Sequence, residues 1–299
     1  RPRASRILKL LVTLALYALI FYRVDVGALI SRLASTRLGF LAAGVAVYVA
    51  GQMLSAYKWR LLLRPVELTV AYTRLVAFYF IGMFFNIFLP TIVGGDAVKA
   101  VLLARETGAP ARATMSVFME RNAGLLALLT IASAAAWYAP PVRIAGIPLP
   151  GLTLLLFAGF VTVNLVLVNR GAYTLADRLI ALTPLARMRP RASSLYSAIV
   201  PYTRAPGTLV ASVALSFVFQ AIVILVVFLN ARALDQRFPV LALAVFVPLI
   251  SLAAMVPISV NGLGVREALY LLLFGQLGSP PDVSVSLALL YFAVTFAAS

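Results

Sequence analysis

The sequence predicts an all-α polytopic membrane protein, with about six spanning helices plus two re-entrant helical hairpins in an inverted repeat. Of its 299 residues, 63% are hydrophobic and 11% are charged, whereas soluble domains carry roughly 25% charged residues. Several apolar runs approach the ~20 residues that a helix needs to cross a ~30 Å hydrocarbon core. We therefore treat the chain, residues 1–299, as one transmembrane domain with halves at 1–138 and 149–299.

Six stretches are long and apolar enough to be spanning helices. They are Ile7–Tyr22, Leu38–Tyr57, Ala113–Tyr138, Leu149–Val168, Thr208–Leu229 and Val283–Ala298. The basic start RPRASRILK is typical of the edge of a first membrane helix, and no A-x-A-like cleavage pattern follows it, so we expect no signal peptide. The chain begins without Met and ends in an apolar run, so trimming at either end is an open expectation.

Two further apolar stretches, Leu75–Ala104 and Val240–Phe274, are each interrupted by Pro and Gly. Each stretch is too long for one spanning helix and too short for two with a water-exposed loop between them. Irregular backbone at membrane depth occurs only where protein buries it or where it lines a wet cavity. We therefore predict that both stretches are re-entrant hairpins.

The distribution of loop charges predicts the orientation in the membrane. Three segments are basic: Lys58–Arg74, Arg105–Arg112 and 170–206. By contrast, Ala139–Pro148 carries only Arg143. A cytoplasmic N-terminus in the cell inner membrane places all three basic segments in the cytoplasm, provided that the first hairpin does not cross. The segment 170–206 is either a basic amphipathic stretch on the cytoplasmic face or a solvated loop.

Composition limits the chemistry that the chain can perform. It has no Cys and no His, which excludes disulfides, thiolate nucleophiles and the commonest metal ligand. Its nine acidic residues are scattered, so neither a multi-carboxylate catalytic or metal site nor a cofactor is expected. The net charge of +16 is better explained by the positive-inside rule and anionic lipid than by nucleic acid. No P-loop motif for ATP occurs.

The two interrupted stretches share a spacing pattern. P-T-I-V-G-G-D-A-V-K begins at Pro90, and P-I-S-V-N-G-L-G-V-R begins at Pro257. Counted from each Pro, Val occurs at +3, Gly at +5 and a cation at +9; the pairs are Val93 and Val260, Gly95 and Gly262, and Lys99 and Arg266. Since the first hairpin is expected to enter from the cytoplasm and the second from outside, the pattern indicates an inverted-topology repeat with a midplane site. The alternative is that helix breaks simply favour Pro and Gly.

Beyond each break a new helix begins, and its unpaired N–H groups and positive dipole end favour an anion. The glycines of the breaks are Gly94, Gly95, Gly262 and Gly264. Lys99 and Arg266 lie within about the first turn of these helices and add full positive charge. The ligand best suited to such a place is a phosphate or another anionic headgroup.

Four polar residues flank or follow the breaks. Asp96 is either an N-cap that accepts backbone hydrogen bonds or a paired, gating carboxylate. Glu267 is either a first-turn acid or the partner of a cation. Asn86 and Asn261 can satisfy freed backbone groups. All four are candidate substrate-binding residues.

In SVFMERNAGLL, Glu120 and Arg121 lie about two turns inside the predicted third span. Charge at this depth is costly and is usually functional or paired. The candidate partners of a buried Glu120 are Lys99, Arg105 and Arg266. The alternative is a helix that starts later, which would place both residues at the membrane interface.

The stretch SAYKWRLLLRP predicts an interfacial anchor, because aromatic and basic side chains gather at membrane–water boundaries. The residues concerned are Tyr57, Lys58, Trp59, Arg60 and Arg64. Headgroup selection by these residues is the less favoured alternative.

Four ordered motifs carry a family resemblance: YKWRLLL, FFNIFLPTIVGGDAVKAVLLARETG, SVFMERNAGLLAL and VPISVNGLGVREAL. Together they resemble the flippase-like transmembrane domain of the lysylphosphatidylglycerol synthase/flippase family, in its stand-alone form without the soluble aminoacyltransferase domain. In the two-domain relatives this region is associated with moving aminoacylated phosphatidylglycerol between leaflets. The resemblance therefore implies the translocating half and not the synthase. The motif residues that carry over are Asn86, Pro90, Gly94, Gly95, Asp96, Lys99, Glu120, Arg121, Pro257, Asn261, Gly262, Gly264, Arg266 and Glu267.

These observations predict a lipid flippase or transporter, and not an enzyme. It would move a phospholipid or glycolipid with an anionic or zwitterionic headgroup through a midplane cavity formed by the two hairpins. The expected partners are membrane lipids, with a homo-oligomer and a cytoplasmic lipid-modifying enzyme as further candidates. Two rival functions remain: an integral-membrane lipid or polyprenyl-phosphate transferase, and a non-transporting partner that docks a cytoplasmic enzyme on segment 170–206.

Overall fold

The computed structural model of the protein describes residues 2–88, 94–144, 146–169, 171, 174, 178, 199–256, 259 and 262–299. Within these residues the chain is helical apart from turns and one small β-hairpin, which confirms the predicted all-α class. The helices are α1 (Pro2–Arg23), α2 (Val26–Ala34), α3 (Leu38–Leu63), α4 (Tyr72–Phe88), α5 (Gly94–Thr107), α6 (Pro110–Ala136), α7 (Leu149–Val168), α8 (Pro206–Ala233), α9 (Val240–Ala254), α10 (Val265–Gly275) and α11 (Pro281–Ala297). The hairpin pairs β1 (Arg143–Ile144) antiparallel to β2 (Ile147–Pro148).

Four of the described helices are long and apolar enough to cross a membrane. They are Leu38–Val66, which is α3 with a following 3₁₀ turn, Pro110–Ala136 (α6), Leu149–Val166 in α7, and Pro206–Ala233 (α8). They coincide with four of the six predicted spans. Helices α1 and α11 coincide with the other two, but their apolar parts, Leu11–Ile20 and Pro281–Ala297, are shorter than 18 residues. Helix α6 is central, since 56% of its apolar length is buried against 11% for α7.

The two interrupted stretches form two pairs of short helices. Helices α4 and α5 pack against each other, and so do α9 and α10. Their lengths are 17, 14, 15 and 11 residues, all below the ~20 residues that cross a bilayer core. The break residues Pro90, Pro257 and Asn261 lie outside the described residues.

Helix packing follows a repeated pattern in the two halves. Helix α3 packs on α4, α4 on α5, α5 on α6, and α3 on α6; correspondingly, α8 packs on α9, α9 on α10, α10 on α11, and α8 on α11. Between the halves, α3 packs along α8, and the contact of α6 with α8 is matched by that of α11 with α3. Helix α6 also packs on α9. The corresponding pair of helices, α11 and α4, has no contact of the same extent. Exchanging α3–α6 with α8–α11 thus reproduces nearly the whole packing pattern.

Each half has its own apolar core. In the first half, Trp59 and Leu62 of α3 are fully buried against side chains of α4, α5 and α6. In the second half, the rings of Phe246 and Tyr270 lie 5.3 and 5.2 Å from the ring of Phe274. Because lipid tails are as apolar as these side chains, the cores stabilise the fold chiefly through van der Waals packing.

The two halves approach each other where α3 carries glycine. A Cβ atom at Gly51 would lie 2.8 Å from Cγ2 of Ile222 on α8, and one at Gly44 would lie 3.5 Å from Oδ1 of Asn230. Small residues at a helix crossing allow the two backbones to come close in a membrane. The α3–α8 crossing is therefore tight, and it joins the halves.

Helix α2 was not predicted from the sequence. Asp25 caps it, since its Oδ1 accepts hydrogen bonds from the N–H groups of Gly27 and Ala28 at 2.8 and 3.1 Å. The available signal was Asp25 followed by apolar residues at helical spacing, including the buried Leu29. The short length of the helix, nine residues, made that signal easy to miss.

Most of the basic segment 170–206 lies outside the described residues. The structure describes 171, 174, 178 and 199–206 of it. Within the last of these ranges, Ile199 and Tyr202 are buried against the core of the first half. The choice between an amphipathic stretch and a solvated loop concerns the residues outside the description.

Candidate functional site

A cavity of about 320 Å³ lies at the junction of the two halves. Its walls come from α3, α4, α5 and α6 in the first half and from α8, α9, α10 and α11 in the second. The charged residues that line it are Lys58, Asp96, Lys99, Glu120, Arg121 and Arg266, with a net charge of +2. Only Arg266 among these six comes from the second half.

The structure brings one group of the predicted site residues together at this cavity: Asn86, Gly95, Asp96, Lys99, Glu120, Arg121 and Arg266. A second group is buried beside the helix starts without lining the cavity: Gly94, Gly262, Gly264 and Glu267. Asn261, Pro90 and Pro257 lie outside the described residues.

Glu120 is the centre of a buried group of charges. Its Oε2 lies 3.0 Å from Nζ of Lys99, and its Oε1 accepts a hydrogen bond from the Tyr79 hydroxyl at 2.5 Å. Nζ of Lys58 lies 3.9 Å from Oε1 and donates to the hydroxyl of Ser216 on α8 at 3.2 Å. Glu120 is 4% exposed and α6 begins earlier than predicted, at Pro110, so the alternative of a helix that starts later is wrong. Of its three candidate partners, Lys99 is the one in contact.

Asp96 is a paired carboxylate. Its Oδ1 lies 3.2 Å from Nζ of Lys99, and its Oδ2 accepts hydrogen bonds from Nε of Arg121, at 2.9 Å, and from Nη2 of Arg121. A backbone N–H group at the start of α5 is bonded by Asn86 instead: Oδ1 of Asn86 accepts a hydrogen bond from the N–H of Gly95 at 2.6 Å. The prediction that Asn86 satisfies a freed backbone group is confirmed.

Helices α4 and α5 approach each other through glycine. A Cβ atom at Gly95 would collide with the carbonyl oxygen of Gly82 and with the side chain of Asn86. A Cβ atom at Gly82 would in turn lie 2.8 Å from Cγ of Lys99. The two glycines let the Lys99 side chain run past α4 toward the carboxylates.

Two aromatic rings flank the Lys99 ammonium group. Nζ lies 4.0 Å from the ring centroid of Tyr79 and 5.3 Å from that of Trp59, within the range of cation–π attraction. The indole N–H of Trp59 donates to the hydroxyl of Ser116 on α6 at 3.0 Å. Both rings therefore support the cation while their own polar groups stay bonded.

The predicted interfacial anchor is wrong for Trp59 and Lys58. They are 0% and 4% exposed, because α3 continues to Leu63 and both side chains bond to neighbouring helices. The remaining members of the anchor, Tyr57, Arg60 and Arg64, are exposed.

Lys58, Asp96, Lys99, Glu120 and Arg121 together form what we call the ion-pair cluster. It contains three cations and two carboxylates. Lys58, Lys99 and Glu120 are almost completely buried, whereas the side chains of Asp96 and Arg121 are 13% and 35% exposed. Burying an ion costs several kcal/mol, and removing one partner of a buried pair costs about 3–5 kcal/mol because the other charge is left uncompensated. The members of the cluster therefore depend on one another.

Helix α10, after the second break, starts with half of a capping box, in which Glu267 at the third position bonds back to the N–H of the N-cap residue Gly264. Gly264 has a φ of +83°, and its N–H donates to Oε2 of Glu267 at 2.7 Å. Glu267 is 1% exposed and acts as the first-turn acid that the sequence allowed. A Cβ atom at Gly264 would lie 2.8 Å from Cβ of Leu16 on α1. Both the backbone angle and the close contact require glycine here.

Arg266 follows this cap and lines the cavity. Its guanidinium carbon lies 6.0 Å from the ring centroid of Tyr291 and 5.8 Å from that of Phe292. Among the described residues, no carboxylate forms an ion pair with it, and its buried Nε has no hydrogen-bond partner. Arg266 therefore retains donor capacity for a ligand.

Sequence reasoning missed Tyr79 as a site residue, and it allowed Lys58 such a role only as the less favoured alternative. Lys58 carried a signal, since a lysine within an apolar helix is usually functional or paired. Tyr79 carried none, because the sequence does not show which face of α4 meets α6. The buried amides Gln52 and Gln220, which also line the cavity, were missed for the same reason.

The chemistry of this lining is that of binding and positioning charge. In the part of the chain that the structure describes, no group of acidic residues could hold a metal ion. The two carboxylates of the cavity are already bonded to cations. The surplus of cationic and neutral donors suits an anionic group with further oxygen atoms.

The chain was compared with known proteins. The model of one protein family, described as the lysylphosphatidylglycerol synthase TM region, matches residues 6–299. No curated protein matches the chain. The family match thus covers essentially the whole sequence, including both helix pairs and every residue of the cavity.

Proposed function

The chain belongs to the lysylphosphatidylglycerol synthase TM-region family, and on that premise we propose that it is a lipid flippase. Family membership supports a membrane function related to lipids. The observation that carries the proposal is the positively charged cavity where the two halves meet, in a protein with four membrane-length helices. The substrate is a phospholipid or glycolipid with an anionic or zwitterionic headgroup.

In this proposal the helix pairs α4–α5 and α9–α10 are re-entrant hairpins. Each of these helices is shorter than the ~20 residues of a full span, and both pairs contribute to the cavity. The packing pattern that repeats between the halves supports a structural repeat. If the hairpins enter from opposite faces, the repeat is inverted, and its substrate site lies near the bilayer midplane.

The basic loops favour a cytoplasmic N-terminus, and we propose that the protein has this orientation in the cell inner membrane. The headgroup occupies the cavity while the acyl or prenyl tails stay in the bilayer. Apolar lining residues such as Leu125, Val223 and Val247 provide a surface for the first carbons of the tails. Without a P-loop, movement depends on a gradient, on consumption of the product, or on equilibration between leaflets.

Reconstitution into liposomes that contain fluorescent phosphatidylglycerol tests the proposal. A membrane-impermeant reductant bleaches only outer-leaflet label, so continued bleaching reports lipid that has crossed. We expect faster crossing than in protein-free vesicles, and a loss of about tenfold or more in Arg266→Ala. Arg143→Ala, which removes an exposed arginine at the β-hairpin, should keep the wild-type rate. Crossing no faster than in protein-free vesicles would refute the proposal.

The same vesicles separate the rival functions. Mass spectrometry of the lipids after incubation detects any chemical change, and a modified lipid would favour a membrane transferase. A docking partner would show no lipid movement, and its cellular function would depend on segment 170–206 rather than on the cavity.

A further inference from the structure

The two side-chain carboxylates that line the cavity, Asp96 and Glu120, are paired with cations. Asp96 receives Lys99 on Oδ1 and Arg121 on Oδ2. Glu120 receives the Tyr79 hydroxyl on Oε1 and Lys99 on Oε2. Each oxygen of these two carboxylates therefore already has a donor, and an ammonium group on a ligand would compete with Lys99 and Arg121 for them. Oε1 of Glu267, which has no hydrogen-bond partner among the described residues, is buried and does not line the cavity.

The positive groups of the cavity are not balanced in the same way. The lining carries a net charge of +2, and Arg266 pairs with no described carboxylate. The Ser55 hydroxyl, 1% exposed, also has no hydrogen-bond partner among the described residues. Buried polar groups without partners are costly. A ligand with acceptor oxygens would relieve that cost.

Neutral amides complete the polar lining. Gln52 and Gln220 both line the cavity and are 3% and 8% exposed. An amide side chain both donates and accepts hydrogen bonds, which matches the two-sided capacity of a hydroxyl group. The cavity thus offers a cation for a phosphate and neutral partners for hydroxyl groups.

Building on the proposed function, we propose that the transported lipid carries a phosphodiester and a neutral, hydroxyl-bearing headgroup such as glycerol or a sugar, and that a lipid with an added ammonium group is rejected. The phosphate binds Arg266 beside Tyr291 and Phe292. An added ammonium group would lie near Lys58 and Lys99 in a cavity of low dielectric constant, where like charges repel strongly. The lysyl ester of phosphatidylglycerol, which gives the family its name, belongs to the rejected class.

Proteoliposomes with matched fluorescent lipids test this selectivity. The probes are phosphatidylglycerol, its lysyl ester and phosphatidylcholine, each with the same labelled acyl chain. We expect phosphatidylglycerol to cross about tenfold or more faster than the lysyl ester, with phosphatidylcholine between them. Equal rates, or a faster lysyl ester, would overturn the inference and leave the flippase function standing. No crossing of any probe above protein-free vesicles would remove both.

Charge changes at position 266 sharpen the test. Arg266→Gln should slow phosphatidylglycerol by about tenfold without slowing the lysyl ester, and Arg266→Glu should make the lysyl ester the faster lipid. Arg143→Gln, the matched control, should keep the wild-type order. An unchanged order in Arg266→Glu would show that Arg266 does not set the preference. Size-exclusion elution identifies a variant that fails to fold, and the three-lipid comparison on the native protein then decides.

Discussion

The two helices that start after the breaks, α5 and α10, carry cations at matching sequence positions but place them in different surroundings. Lys99 on α5 lies between two carboxylates, at 3.0 and 3.2 Å, and next to two aromatic rings. Arg266 on α10 has aromatic neighbours as well, but no ion-pair partner among the described residues. Of the two cations at matching positions, Lys99 is therefore paired with carboxylates of the protein, and Arg266 is free of such a pair among the described residues.

The difference arises on the helix that follows each pair. In the first half, α6 presents Glu120 and Arg121 to the break, and they pair with Lys99 and Asp96. In the second half, α11 presents Tyr291 and Phe292 to Arg266 instead. Under the proposed function, the two halves have different roles although their packing pattern is the same: the first half stabilises the fold and the second contacts the substrate.

The largest expected effect comes from removing the centre of the ion-pair cluster. Glu120→Gln leaves Lys58 without a counter-charge and leaves Lys99 with Asp96 alone, and we expect a loss of stability of about 3–5 kcal/mol. Thermal unfolding of the purified protein in detergent measures it. The control is Glu106→Gln, whose ion pair with Arg74 is exposed and should be worth about 0–1 kcal/mol. Equal unfolding temperatures for the two variants would contradict the role given to Glu120.

The second prediction compares the two cations directly. Lys99→Met should destabilise the protein by about 3 kcal/mol, because Asp96 and Glu120 lose a shared partner. Arg266→Met removes a cation without an ion pair and should leave stability unchanged within about 1 kcal/mol, while it slows lipid crossing. Thermal unfolding and crossing rates, measured on the same preparations, check both halves of this statement. A large loss of stability in Arg266→Met alone would reverse the comparison.

The third prediction concerns the glycine of the first break. In Gly95→Ala the added methyl group meets the backbone of Gly82, which cannot rotate away, so we expect a cost of about 1–3 kcal/mol. Gly159→Ala on α7 has open space around its Cβ and should raise stability by about 0.5–1 kcal/mol. Unfolding temperatures that move in the same direction would show that α4 and α5 are less tightly packed than described.

Comparison of the structure with the sequence-based predictions shows which features of the molecule could be predicted from the sequence. Four membrane-length helices, the interruptions between α4 and α5 and between α9 and α10, and the pairing of Glu120 were predictable, because apolar length and buried charge leave strong local signals. The unequal roles of Lys99 and Arg266 were not predictable, since they depend on which face of α6 or α11 turns toward the break. Lys58 was misassigned for a related reason: its helix runs on to Leu63, and the sequence boundary was drawn too early.

The smallest expected effect on lipid crossing comes from single cysteines that are introduced to report the membrane topology. Single cysteines at exposed Arg105 and Arg143 should leave lipid crossing unchanged, and the native chain has no Cys to interfere. An impermeant thiol reagent applied to intact cells should label position 143 alone, and position 105 only after the membrane is opened. Labelling of position 105 from outside, with position 143 protected, would mean that the first hairpin crosses the membrane, because α6 separates the two positions, and the inverted arrangement would fail.

The close crossing of α3 and α8 limits the width of the cavity. At Gly51 a single hydrogen atom separates the α3 backbone from Ile222 and Phe219, and Gln52 and Phe219 beside it line the cavity. The width of the cavity at this point therefore depends on the absence of a side chain at Gly51. A larger residue at Gly51 would push α3 and α8 apart. Under the proposed function, this would change the size of the headgroup that the cavity admits without altering a charged group.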